Sequence, residues 1–203
     1  MMVEKFLFLM NNDLENLAEK LRQGKVGIFP TDTAYGVGCR IDDINAANRV
    51  YKVRNRPHEK ALIVLVSSYA MAEKYIEISP DVKSQLIDRY WPGGLTIILN
   101  CKVEKVPSVV RANGKTLAVR FPNQQDLIKV ISMLGLPIVA PSANFSGVST
   151  PFSLEDVSSD FKSKVDFVMN GVCTIRGVST IVDPTEKPWK IVRQGVIKID
   201  LIT

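Results

Sequence analysis

The chain has 203 residues, 46% of them hydrophobic and 23% charged. That mix excludes a disordered tail or a collagen-like repeat, and a chain of this length buries enough surface to fold without disulfides or metal. Lys and Arg number 26 against 21 Asp and Glu, leaving +5, a mild excess that suits phosphate-bearing ligands or RNA without naming either.

Residues 5–10 read as a first strand. The start lacks a small-residue cleavage site and no apolar run reaches membrane-spanning length, so a cytoplasmic protein is the default reading. Asn12 and Glu15 form a capping box for a helix carrying Leu14, Leu17, Ala18 and Leu21, stopped at Gly24. A strand ends at Pro30, and a polar turn, Thr31 to Tyr35, precedes Gly36 and Gly38. Asp42 or Asp43 caps a second helix with Ile44, Ala47, Val50 and Tyr51 on one side, ending before Pro57. The apolar run 61–66 reads as a strand covered on both faces. Helices follow near 68–77 and 80–90, then the break Trp91-Pro92-Gly93-Gly94. Strands are expected over 95–99 and 117–121, with an exposed loop over 102–114 between them. A helix over 124–134 turns Leu127, Ile128, Ile131 and Leu134 inward. A strand over 136–140, a short helix over 153–160 capped by Ser153, and strands over 165–169, 179–183 and 189–193 complete the chain. Strands alternating with helices argue one α/β domain over 1–203. The strands gathered at the end argue a mixed, twisted sheet with flanking helices.

Several chemistries are absent. There is no P-loop, no third glycine after Gly36-Val37-Gly38 for a dinucleotide fingerprint, and no nucleophile elbow. His58 is the one histidine, which excludes a zinc site built on several. Cys39, Cys101 and Cys173 are odd in number and far apart, as buried thiols in a reducing compartment would be.

Polar segments remain at the ends of expected strands: Pro30-Thr31-Asp32-Thr33, Arg54-Asn55-Arg56-Pro57, Thr116 with Arg120, Ser142-Ala143-Asn144, Ser179-Thr180 and Arg193. Strand ends are where α/β sheets bind ligands, and arginines with hydroxyls and amides suit an anion bearing sugar or phosphate oxygens. Thr31 and Thr33 also fit a plain turn, Arg54 and Arg56 a solvated helix end, and Ser142 and Asn144 a turn. Arg120 is harder to dismiss, because it ends an interior strand and a charge there needs a partner or a ligand.

In this order the segments GIFPTDTAYGVGC, Arg54-Asn55-Arg56-Pro57, ALIVLV, YWPGGLTIIL, TLAVRFP, PIVAPSANFSG, GVSTIVDP and IVRQG resemble the YrdC/TsaC family of threonylcarbamoyl-AMP synthases. The resemblance runs from about Gly24 to Gly195, in the short single-domain form without the extra C-terminal domain of longer members. It implies a large concave basic cavity and the formation of threonylcarbamoyl-AMP and pyrophosphate from L-threonine, bicarbonate or CO2, and ATP with Mg2+. Partner proteins then transfer the threonylcarbamoyl group to an adenosine of tRNAs reading codons that start with A.

The resemblance places Arg54, Arg56, Ser142 and Asn144 in the catalytic machinery. It assigns Thr33, Arg120, Ala140 and Ser179 to threonine, with Arg120 facing its carboxylate or the carbamate. ATP is assigned to Arg56, Lys60, Thr116, Ser142, Thr150 and Arg193. Three positions depart from the family pattern: Arg54 replaces a lysine, Lys60 a frequent asparagine, and Leu65 a frequent histidine. The alternative is a double-stranded RNA or tRNA binding module of the same fold, with Arg49, Lys52, Arg54, Arg56 and Lys60 tracking phosphates. A carbamoyl-adenylate-forming domain of hydrogenase maturation is a third reading, normally embedded in a much longer chain.

Overall fold

A computed structural model of the chain describes residues 13–199. The strand expected over 5–10 and the Asn12 cap lie outside them. Helix α1 covers 13–22 and buries Leu14, Ala18 and Leu21, whose spacing puts them on one face. The chain leaves α1 through Gly24 at φ +74°. There the N–H groups of Gly24 and Lys25 donate to Leu21 O and Lys20 O, each at 3.0 Å, the left-handed stop that glycine favours.

Strands β1 (Gly27–Pro30) and β2 (Tyr35–Gly38) form an antiparallel hairpin around the Thr31 to Ala34 turn. β2 was not legible as a strand, because its two glycines break any apolar alternation. Their purpose is proximity. A Cβ on Gly38 would overlap the carbonyl oxygen of Val139, so only glycine lets β2 run this close to the neighbouring chain. Helix α2 (Ile44–Arg54) is capped by Asp43, whose carboxylate accepts from Ala46 N at 2.9 Å, and ends at Asn55 with φ 51°. Ala47, Val50 and Tyr51 are buried as expected, but Ile44, at the first residue of the helix beyond the packed turns, is exposed.

Strand β3 (Ile63–Leu65) is followed by α3 (Tyr69–Ala72), a single turn. The helix expected over 68–77 stops short because Ile76 leaves to bridge Cys101. The helix over 80–90 is α4 (Pro80–Val82), a π-helical turn (Lys83–Ile87) and α5 (Asp88–Tyr90). β4 (Leu95–Asn100) and β5 (Thr116–Arg120) come next. The intervening loop is less exposed than expected: Val106 and Val110 are buried, and Val110 O accepts from Leu62 N at 2.9 Å. α6 (Gln125–Leu134) buries Val130 where Ile128 was expected, leaving Ile128 half-buried.

After β6 (Ile138–Val139), the expected helix over 153–160 begins late, as α7 (Ser159–Lys162) capped by Ser158. The Asp156 carboxylate takes the N–H groups of Phe152 and Ser153 at 2.9 and 2.8 Å, the contact of a capping box, yet no helix follows until Ser159. β7 (Phe167–Val168), β8 (Thr180–Asp183) and β9 (Lys190–Arg193) follow.

The sheets run β2-β1-β7 and β6-β3-β5-β4-β8-β9. The larger one mixes parallel pairs (β3 with β5, β4 with β8) and antiparallel ones. Bridges Gly36 to Ser142 and Arg40 to Ile138 join the two sheets along β2 and β6. Side chains alternate across each strand. Leu95, Ile97, Leu99, Leu117, Val119 and Val182 enter the main core. The opposite face presents Ile63, Leu65, Ile98, Ala118, Arg120 and Ile181, and these floor a cavity. Among the described residues no helix is long and apolar enough to cross a membrane.

Candidate active site

The cavity holds about 470 Å³, in the range of small-molecule sites. Its floor is that sheet face. Its walls are the Thr31 to Gly36 turn, the end of α2 with Arg54 and Arg56, Ala140 to Ser142, Thr150, Val178, Ser179, Val192 and Arg193. The structure thus brings together nine of the expected residues: Thr33, Arg54, Arg56, Arg120, Ala140, Ser142, Thr150, Ser179 and Arg193.

Three expected residues lie elsewhere. Lys60 is exposed, and only its carbonyl serves the site, accepting from Arg56 Nε at 3.0 Å and from the Tyr51 hydroxyl at 3.0 Å. Thr116 shares the face of Ala118 and Arg120 but sits at the far end of β5, beyond the cavity lining. Asn144 stands behind the wall. Its backbone oxygen and Oδ1 accept from Arg54 at 3.1 and 3.3 Å, while its amide ties the loop by donating to Phe145 O and Val148 O. It holds Arg54 in place.

The arginines divide into two kinds. Arg54 is 5% exposed. It donates only to neutral oxygens, those of Asn144 and Ser142 Oγ at 3.2 Å. Burial, and then the neighbouring Arg56, push it down to about 10, so it stays cationic at neutral pH. Arg56 donates to Lys60 O and Ala61 O. Arg193 lies on the exposed edge strand but folds its guanidinium back onto Ser179, donating to the carbonyl at 3.0 and 2.8 Å and to Oγ at 2.9 Å. Burial lowers both. Among the described residues none of these three makes a salt bridge, although seven arginines and lysines on the surface do. Examples are Arg40 with Asp42 and Arg49 with Asp166.

Arg120 is different: of the partner or ligand that a charge on an interior strand needs, the structure supplies a partner. It is closed against Asp32, 88 residues away in sequence, through Nη2, while Nη1 donates to Thr33 Oγ1 at 2.5 Å and Nε to Gly93 O at 2.8 Å. The reason is elementary: a guanidinium on an interior strand without water needs a counter-charge, and the β1–β2 turn supplies one. Burial lowers Arg120 and Asp32 opposes that. The residue still forms part of the cavity wall. Around it sit hydroxyls. Thr31 Oγ1 donates to Ala34 O and lies 3.0 Å from Thr33 Oγ1. Ser179 Oγ lies 2.9 Å from Thr96 Oγ1, a strand residue that sequence reasoning passed over as an ordinary β-former.

The three cysteines are buried and free, and burial raises all three, Cys173 to about 11, so none is a ready nucleophile. His58 stacks on Tyr51 at 4.2 Å, outside the cavity. The stripe expected for RNA does not form: Arg54 points inward and Arg49 is neutralised by Asp166.

A family model described as Sua5/YciO/YrdC, telomere recombination, matches residues 19–195. The chain belongs to the Sua5/YciO/YrdC family. It is 38% identical over 183 residues to a protein named threonylcarbamoyl-AMP synthase from Pyrococcus abyssi, covering 90% of this chain and 54% of that one. A second protein of that name, from Vibrio parahaemolyticus, is 30% identical over 91% of this chain and 100% of its own length. The solved structure of P. abyssi Sua5 complexed with L-threonine superposes with a TM-score of 0.84 at 36% identity, covering 90% of this chain and 54% of that one. The chain spans about half the length of the longer curated relatives it matches.

The donor set also bears on Mg2+. No carboxylate lines the cavity, and among the described residues no cluster of three metal-ligating side chains occurs. Magnesium binds carboxylates and phosphates and keeps several waters, so these residues do not fit a protein-held ion.

Proposed function

We propose that this chain is an L-threonylcarbamoyladenylate synthase, a nucleotidyltransferase of the Sua5/YciO/YrdC family acting in tRNA modification. The observation that carries the reading is the convergence of Arg54, Arg56 and Arg193 on one cavity, held by neutral oxygens and without acidic partners among the described residues. Arg54 is buried and Arg56 half-buried, and a guanidinium withdrawn from water without counter-charge is costly unless a polyanion completes it. The triphosphate of ATP is such an anion, and Ser142 and Thr150 add hydroxyls on the same side.

In this reading the threonine amine, having lost a proton, attacks CO2 to give a carbamate. A carbamate oxygen then attacks the α-phosphorus of ATP as the bond to pyrophosphate breaks. Arginine donors suit the charge spread over phosphate oxygens, and enclosure keeps the carbamate from water. Thr33, Ser179, Ala140 and the apolar floor, Leu65 included, are proposed to line the threonine end. Magnesium is proposed to arrive with the nucleotide. The threonylcarbamoyl-transfer proteins, tRNA and the cytoplasm belong to the same proposal, and the names of the relatives support its synthase step.

Displacement of a fluorescent ATP analogue separates this reading from an RNA-binding module. Unlabelled ATP is expected to displace the probe, more weakly at high salt, and an RNA duplex is expected to leave it bound. A duplex that displaces the probe as well as ATP does would favour the RNA module.

A further inference from the structure

The cavity treats its arginines unequally, and the inequality has a chemical meaning. Arg54, Arg56 and Arg193 are anchored by carbonyl, amide and hydroxyl oxygens alone. Those oxygens suffice to orient a guanidinium and leave its charge uncancelled. Arg120 has the same kinds of anchors in Gly93 O and Thr33 Oγ1, yet it also receives a carboxylate. Orientation therefore does not account for Asp32.

Asp32 is 1% exposed. Its Oδ1 takes Arg120 Nη2, and its Oδ2 is buried with no hydrogen-bond partner among the described residues. Leaving an oxygen of a charged carboxylate bare costs more free energy than leaving a neutral amide group bare. What the acid adds is charge. With it, Arg120 and Asp32 form a formally neutral pair in which Arg120 lines the cavity and Asp32 stands behind it, outside the lining. A guanidinium has five N–H donors, and three are used here, so two remain for a ligand. A guanidinium neutralised from behind still offers N–H donors to a carboxylate, and a site without net charge suits a ligand without net charge, such as a zwitterion. A lone guanidinium complements a phosphate.

We propose that Asp32 is a positioning and specificity residue that neutralises Arg120, so that the cavity beside Arg120 accepts a zwitterionic α-amino acid and refuses phosphate. The triphosphate is thereby left to Arg54, Arg56 and Arg193, the arginines of the cavity that keep their charge. The proposal rests on the synthase reading for its substrates and adds the rule that sorts them.

Inorganic phosphate is the probe. In the wild-type chain phosphate should inhibit competitively against ATP and not against threonine. In Asp32→Asn, which keeps an oxygen for Arg120 and removes the charge, phosphate should become competitive with threonine. The KM for threonine should rise at least about tenfold while that for ATP moves less than about threefold. Asp32→Glu should restore the wild-type pattern in part. A folded Asp32→Asn variant with unchanged threonine KM, or in which phosphate still competes with ATP alone, overturns the proposal. Should that variant not fold, phosphate that displaces threonine from the wild-type chain overturns it equally. If the wild type releases no pyrophosphate with threonine, the synthase reading has failed. Calorimetry of phosphate binding to wild type and Asp32→Asn then tests the sorting rule separately: a phosphate site gained in the variant supports it, and identical binding refutes it.

Discussion

Replacing Arg54 with alanine is expected to lower the rate of pyrophosphate release by roughly 30- to 1000-fold, the effect of about 2–4 kcal/mol of lost transition-state stabilisation. Arg54 is the most deeply buried of the three arginines without an acidic partner, and its bonds to Asn144 and Ser142 tie the Ser142 to Val148 loop to the end of α2. Arg54→Lys keeps the charge but loses the fork that reaches Asn144 O and Ser142 Oγ together, so it should retain activity within about tenfold of wild type. The measurement is steady-state turnover beside the thermal midpoint. Alanine should spare the midpoint, because removing an unpaired buried charge offsets the lost hydrogen bonds. Wild-type turnover in Arg54→Ala, or a loss explained by unfolding, would return Arg54 to the role of a helix-end packing residue.

Arg120→Lys should raise the KM for threonine by about 10- to 100-fold and that for ATP by less than about threefold. A lysine still pairs with Asp32, so the buried carboxylate keeps a counter-charge. It cannot also donate to Thr33 Oγ1 and Gly93 O in the fixed geometry that the guanidinium provides, nor offer two further N–H groups to a carboxylate. Kinetics at saturating ATP and then at saturating threonine read the two constants separately. An equal rise in both constants, or a fall in turnover with neither changed, would show that Arg120 only braces the Thr31 to Thr33 turn.

Arg120 also shows what the sequence made legible. An arginine closing the interior run Leu117, Ala118, Val119 demands an anion, and that demand was readable from burial alone. The partner was not, because Asp32 is brought to it by pairing of distant strands, which no local pattern encodes. A signal did exist: Asp32 is the one acidic residue within the polar segments at the strand ends. The apolar runs that became β3, β4 and β5 were plain, since alternate residues must cover a core on one side and a cavity floor on the other. β2 was hidden because close approach to Val139, not side-chain pattern, dictates its glycines. The helix over 153–160 begins only at Ser159, although Ser153 and Asp156 make the reciprocal contacts of a capping box that the sequence pattern announced. Lys60 and Thr116 were placed in the site by resemblance of position, and the structure separates them from it by a turn of chain and by the length of β5.

The central claim is that one cavity joins an amino acid, a carbonate carbon and a nucleotide. Pyrophosphate release from ATP, followed with threonine and bicarbonate added separately and together, tests it most directly. The account predicts release only when both are present, with the nucleotide product carrying threonine through a carbamoyl link on its α-phosphate. Release that ignores threonine, or no release with both substrates and a folded chain, would contradict it.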